Sequence, residues 1–204
     1  MLIIGVVGGI ASGKSFVSAS FKELGAFVLD ADRTGHQVLD LPDVQRQIRT
    51  NWGDSVFRTD GSVDRRKLGE IVFHPTDGEA ELSKLEKITH PLIRKILEGQ
   101  VEKLELSGDF PAAILDAPVM FKAGWNDFCD QIVFVESNEA DRCRRATERG
   151  WSELEFAKRE ASQVSIETKR AKSDWILVNG GSIEDLREQV AQLWARLFSI
   201  EEKE

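Results

Sequence analysis

Apolar residues along this chain fall into two alternating rhythms. Short unbroken runs at 2–7, 27–29, 112–115, 132–135 and 176–178 read as buried strands. Between them, apolar residues recur at spacings of three and four. Val17, Phe21 and Leu24 make one such face, and Ile183, Leu186, Val190, Leu193 and Leu197 make another. Gly25 ends the first helix, and Ser182 opens the last with Asp185 in its first turn. Strands alternating with helices predict βαβ units, hence a parallel sheet with helices on both faces.

Two stretches interrupt this rhythm. Residues 33–109 contain no strand of the core type, and Leu82, Leu85, Ile88, Leu92, Ile96 and Val101 follow a helical stripe there. Pro91 lies inside the stripe and predicts a break or restart near Thr89 and His90. A second helical piece, 152–172, separates the fourth and fifth strands. No internal repeat, low-complexity tract or Pro- or Ser-rich linker is present.

The first strand runs directly into Gly8, Gly9, Ile10, Ala11, Ser12, Gly13, Lys14 and Ser15, the pattern G-x-x-x-x-G-K-[ST]. Strand, glycine loop and helix in that order make a phosphate site. Glycines let the backbone curl until several N–H groups face one anion, and the following helix adds its positive end. Lys14 is placed to reach the β- and γ-phosphates, and the Ser15 hydroxyl to ligate Mg²⁺. The expected ligand is a nucleoside triphosphate.

Acidic residues stand at two strand ends. Asp30 and Asp32 follow the second strand, and in a doubly wound sheet the C-terminal strand ends face the ligand crevice. One carboxylate can orient and deprotonate an attacking hydroxyl while the other contacts Mg²⁺-bound water or holds the loop. Asp116 ends the third strand in the manner of a Walker B acid, with Pro118 making a rigid turn beyond it. His36, one or two turns into a helix starting after Asp32, is a candidate for the acceptor site, and Arg65 is a candidate anion contact.

The chain has a net charge of −8, which argues against a protein that coats nucleic acid or an anionic membrane. Yet 142–172 hold nine Lys or Arg against five Glu, a balance of +4, leaving −12 on the rest. An anionic ligand nearby and a solvated helix face are both adequate reasons. Arg145 and Arg149 share a helix face, suited either to a lid closing over the γ-phosphate or to pairing with neighbouring acids. No run of about 20 apolar residues is available to span a bilayer. The apolar start lacks a basic segment, which argues against a signal peptide. Cys129 and Cys143 lack metal-ligand spacing and read as free thiols of a cytoplasmic protein.

The ordered set of motifs resembles the dephospho-coenzyme A kinase family from Ile4 to about Leu186. The matching pieces are the phosphate loop, Asp30-Ala31-Asp32 with Gly35-His36, Asp64-Arg65-Arg66, Thr89-His90-Pro91, Asp116-Ala117-Pro118, Gln163, Lys169-Arg170-Ala171, Asp174 and Asn179-Gly180-Gly181. The resemblance implies transfer of the ATP γ-phosphate to the ribose 3′-hydroxyl of dephospho-CoA. It implies that Asp32 engages that hydroxyl, that His36, Arg65, His90 and Pro118 stand with the acceptor, and that Asn179 lies near the adenine. Three positions depart from the family's usual residues: Ala11 for Gly, Phe16 for Thr in the ATP-binding stretch, and Lys122 for an acid.

The expected fold is α/β, a P-loop three-layer doubly wound parallel sheet of about five core strands. In a single domain, 1–32, 110–150 and 173–204 form the core, 33–109 a helical acceptor-binding insertion and 151–172 a helical lid. The expected assembly is a monomer or weak oligomer working on ATP with Mg²⁺ and a small acceptor. A shikimate- or gluconate-type kinase is the alternative on the same scaffold, and a nucleotide-switch ATPase the alternative outside metabolism. A GTPase would carry an Asn-Lys-x-Asp motif, which is absent.

Overall fold

The computed structural model describes residues 1–74, 76 and 78–200; the last four residues of the expected core lie outside them. In chain order the elements are β1 (Leu2–Gly8), α1 (Lys14–Glu23), β2 (Phe27–Asp30), α2 (Ala31–Leu39), α3 (Pro42–Trp52), α4 (Arg65–Val72) and α5 (Gly78–Ser107). They continue with β3 (Ala112–Asp116), β4 (Gln131–Glu136), α6 (Glu139–Glu148), α7 (Glu153–Ala161), α8 (Ile166–Ala171), β5 (Trp175–Val178) and α9 (Ile183–Ile200). Two compact units result, 1–30 with 101–204, and 31–100.

In the first unit all five strands are parallel, in the order β2-β3-β1-β4-β5. The five apolar runs of the sequence are these strands. Pairing fixes a row across the sheet: Asp30 opposite Asp116, Asp116 opposite Val6, and Val6 opposite Val133. Strand-end acids therefore stand in register with the residue two before the phosphate loop. On one face of the sheet, Ile4, Val6, Ile114, Val133 and Val135 meet Val17 and Phe21 of α1 and Leu186, Val190, Leu193 and Leu197 of α9. Phe21 is fully buried and lies 6.0 Å from the Trp194 ring. Burying one such side chain stabilises the fold by about 2–3 kcal/mol.

Helix ends follow the chemistry read from the sequence. Gly25, at φ 106°, turns the chain after α1. Ser182 Oγ accepts from the Asp185 amide, and Asp185 Oδ2 accepts from the Ser182 amide, so each closes the other's open donor ahead of α9. β5 is an edge strand, and Gln189 of α9 covers its end. The Gln189 amide accepts from the Val178 N–H at 2.8 Å and donates to the Val178 carbonyl at 3.0 Å.

The second unit contains α2, α3, α4 and most of α5, and its one described β feature is the isolated bridge between Phe57 and Val63. Asp64 caps α4 by accepting from the Arg66 and Lys67 amides. Pro91 does not break the helix as expected: α5 continues from Gly78 to Ser107 with Pro91 inside it. An interior proline costs about 3 kcal/mol. Burial of Ile93, Leu97 and Val101, continuing the line from Thr89 at four-residue spacing, offsets that loss. The buried line is thus Thr89, Ile93, Leu97 and Val101, whereas Leu85, Ile88, Leu92 and Ile96 of the expected stripe are only half-buried. The piece expected over 152–172 is two helices, because Ser165 caps α8 and restarts the chain. α2 begins at Ala31, so Asp32 lies inside its first turn rather than ahead of it. Among the described residues no helix is long and apolar enough to cross a membrane.

Candidate active site

The loop between β1 and α1 is defined by where its carbonyls point. Gly8 O accepts from Lys169 Nζ at 3.2 Å and Lys14 Nζ at 3.4 Å, and Gly9 O accepts from Lys14 Nζ at 2.7 Å. Ile10 O accepts from Arg142 at 3.4 Å, Ala11 O from Arg145 at 3.3 Å, and Ser12 O from Asn179 Nδ2 at 2.7 Å. Successive carbonyls from 8 to 12 are thus held by side chains of the loop's own lysine, α6, α8 and the turn after β5. Carbonyls engaged in this way orient the loop's peptides as in a backbone nest, with the Ile10 N–H donating to Glu160 Oε2 at 3.3 Å and the Ser12 N–H to the Gly9 carbonyl at 3.3 Å. Gly13 precedes α1 at φ 104° without a side-chain cap, so the helix's leading N–H groups are not taken by a capping oxygen.

Contacts press on three loop glycines, and a Cβ on Gly8 would lie 2.7 Å from the Val135 carbonyl oxygen. A Cβ on Gly13 would lie 2.3 Å from Asn179 Nδ2, and one on Gly9 would lie 2.5 Å from the Arg142 guanidinium. Ala11 takes φ 56°, a left-handed conformation costing a non-glycine residue roughly 1–2 kcal/mol. Ser12 Oγ is buried with no hydrogen-bond partner among the described residues. A buried hydroxyl in a phosphate-type loop without a protein partner fits a site built to meet a polar ligand.

The surroundings are cationic. Arg142 is 3% exposed; it bonds the Ser137 carbonyl at 3.2 Å and forms a 2.7 Å ion pair with Glu160 of α7. Arg145 binds Ser137 Oγ at 3.0 Å besides the Ala11 carbonyl, and reaches Asn179 O at 3.4 Å. Lys169, also 3% exposed, donates to Gln163 Oε1 at 2.6 Å. Burial lowers the Lys14 pKa; Asp116 and Glu160 pull it back up while Arg142 and Arg149 push it down. Burial and then the Lys14 charge bring Lys169 down to about 8. This surplus of positive charge in desolvated surroundings calls for an anionic guest.

Asp116 Oδ2 accepts from Ser18 Oγ at 3.0 Å. Ser18 and Ser15 lie three apart on α1 and share a face, so the carboxylate and the exposed Ser15 hydroxyl flank the start of one helix. Among the described residues there is no cluster of three or more His, Cys, Asp or Glu fit for a metal. Mg²⁺ in phosphoryl-transfer sites needs fewer protein ligands than that: one or two oxygen donors, with phosphates and water completing the shell. Ser15 and Asp116 fit that requirement.

The remaining expected site residues stand as follows. Arg149 is the exposed residue closing α6, and Phe16 lies under the Arg187 guanidinium, 5.6 Å from it. Pro118 is exposed just beyond β3. Asp32, His36, Arg65 and His90 belong to the second unit. There Asp32 and His36, four apart on α2, are both exposed on a side away from the buried Ala31, Thr34 and Val38. Arg65 is the exposed first residue of α4, and His90 is half-buried on α5. Sequence reasoning did not single out Arg142, Glu160 or Lys169 as individual site residues. For Arg142 and Lys169 the signal was the local positive balance of 142–172, and Lys169 also stood in the matched Lys169-Arg170-Ala171; Glu160 had none.

The dephospho-CoA kinase family model matches residues 2–185. The chain is 37% identical over 200 residues to a dephospho-CoA kinase of Geobacter sulfurreducens, covering 97% of this chain and 100% of that one. It superposes on the structure of a dephospho-CoA kinase from Campylobacter jejuni with a TM-score of 0.71 at 25% identity, over 96% of each chain. A shikimate kinase from Acinetobacter baumannii shares the fold alone, with a TM-score of 0.51 at 14% identity over 96% of this chain and 94% of that one. A glycine loop with its carbonyls held by side chains, on a five-stranded parallel sheet, is thus carried by a chain that belongs to the dephospho-CoA kinase family.

Proposed function

We propose that this protein transfers the γ-phosphoryl group of ATP to the 3′-hydroxyl of the ribose of dephospho-CoA, giving coenzyme A and ADP. The observation that carries the reading is the row of loop carbonyls, Gly8 to Ser12, each engaged by a side chain ahead of α1. Family membership supplies the acceptor.

In this reading the loop amides and the start of α1 hold the β- and γ-phosphates, and Lys14 swings from the Gly9 carbonyl onto them. Ser15 and Asp116 would hold Mg²⁺, which when bound would offset the negative charge of the polyphosphate. Asp32 orients the 3′-hydroxyl and takes its proton as the oxygen bonds to the γ-phosphorus and the bond to ADP breaks. His36, Arg65, His90 and Pro118 contact the acceptor, and Asn179 lies near the adenine. Arg145 keeps the loop in shape, and Arg149 closes over the phosphates.

A coupled assay with ATP, Mg²⁺ and dephospho-CoA tests this reading. ADP release is expected to depend on dephospho-CoA. Turnover of shikimate or gluconate instead would overturn the acceptor, and ADP release indifferent to any acceptor would indicate a nucleotide switch.

A further inference from the structure

We infer that Glu160 sets the affinity of the phosphate loop for its polyphosphate, by standing on the loop's own donors as a competing internal anion. The inference rests on the nucleotide-binding half of the reading above and is independent of the acceptor.

Glu160 sits in the last turn of α7, within the segment expected to act as a lid. That helix is held to the loop in two ways. Phe156 is buried in a small apolar cluster with Ile10 and Ala11 of the loop and Ala146 of α6. Glu160 Oε2 then accepts two hydrogen bonds at the loop itself, from Arg142 at 2.7 Å and from the Ile10 N–H at 3.3 Å. Its charge also favours the protonated forms of Lys14 and Lys169. One carboxylate therefore draws on a loop amide, a guanidinium and two ammonium groups.

A loop amide, a guanidinium and ammonium groups are the kinds of donor that phosphate oxygens bind. An ion pair in which one partner is 4% exposed and the other 25% is anchored on the arginine side and open on the glutamate side. The acid can thus leave toward solvent while Arg142 stays fixed by the Ser137 and Ile10 carbonyls. A polyphosphate brings several charges and many acceptor oxygens to the same place, and two anions on one guanidinium and one amide repel. Nucleotide and Glu160 therefore exclude each other. Binding costs the displacement of the carboxylate, and the ionic half of the contact between α7 and the loop is lost when the phosphates arrive. Glu160 as a purely structural counter-ion makes the opposite demand, since its removal would then disorder the loop and weaken binding.

The two cases separate in a titration of ATP with Mg²⁺, and of sodium tripolyphosphate, into the wild type and Glu160→Gln, followed by amide hydrogen exchange. The variant is expected to bind both probes about tenfold tighter, the scale of one charge-assisted hydrogen bond no longer contested. Tripolyphosphate is expected to speed exchange in α7 of the wild type and to leave the variant unchanged. Should Glu160→Gln prove unstable, Glu160→Asp keeps the charge but withdraws it by one methylene, and it is expected to bind severalfold tighter. Equal or weaker binding by the variants, or α7 exchange indifferent to tripolyphosphate, overturns the inference. Failure of the wild type to bind either probe overturns the nucleotide-binding reading and this inference together. Tight binding by the wild type that the variants do not improve overturns this inference alone.

Discussion

The side-chain amide of Asn179 donates to the Ser12 carbonyl at 2.7 Å, tying the turn after β5 to a loop 167 positions earlier. The same amide nitrogen would lie 2.3 Å from a Cβ on Gly13. Gly13→Ala combines that collision with a left-handed φ of 104° and is expected to weaken ATP binding more than about tenfold. Asn179→Ala removes the hydrogen bond to the Ser12 carbonyl and the long one that Asn179 Oδ1 accepts from Arg145 at 3.5 Å, together worth about 1 kcal/mol net, and is expected to weaken ATP binding roughly fivefold. Calorimetric titration of both variants checks the pair.

Asp32→Asn is expected to lower kcat by about 10²–10⁴ through loss of the proton acceptor. ATP affinity is expected to stay within about twofold, because the nucleotide's donors lie on the loop and not on α2. Single-turnover phosphoryl transfer beside equilibrium ATP binding measures the two effects separately, and retained transfer removes Asp32 from the mechanism.

Lys169 gives the loop a pH dependence. Its ordinary value is 10.5, and burial beside Lys14 lowers it to about 8 in the folded chain. Between those values the unfolded chain holds more protons, so stability contributed by this group rises as pH climbs through the window. Anion binding runs the other way, because the protonated amine attracts phosphate. ATP affinity is expected to fall roughly fivefold between about pH 7 and about pH 9.5, the worth of one partly screened charge. Lys169→Met makes that profile shallower; an unchanged profile assigns the titration elsewhere.

Ser18→Ala removes the 3.0 Å hydrogen bond that holds Asp116 against the start of α1. The Mg²⁺ concentration for half-maximal turnover is expected to rise severalfold, with a stability loss of about 1 kcal/mol. A magnesium titration of turnover alongside thermal unfolding checks both, and an unmoved midpoint detaches Asp116 from the metal.

All five strands, the loop, the ends of α1 and the start of α9 were legible in the sequence, because apolar runs, glycines and capping residues act locally. Two kinds of feature were not. Pro91 argues for a break on local grounds, and only the burial of Ile93 and Leu97 beyond it overrides the argument. Arg142 and Lys169 look like neighbours of Arg144 and Arg170 in a charged helix pattern, yet the first two are buried and the last two exposed. What distinguishes them is a set of loop carbonyls over a hundred residues away, which no helical periodicity encodes. Asp32, His36, Arg65 and His90 were legible as motif residues, and Asp32→Asn tests the first of them.

Gln189 places a carboxamide where a sixth strand would start, answering both main-chain groups of Val178 at the outer rim of β5. An unguarded rim is a template on which a second molecule can lengthen the sheet. This glutamine is therefore a chain terminator for assembly: Gln189→Ala would leave the fold's interior untouched and yet make concentrated solutions prone to aggregate.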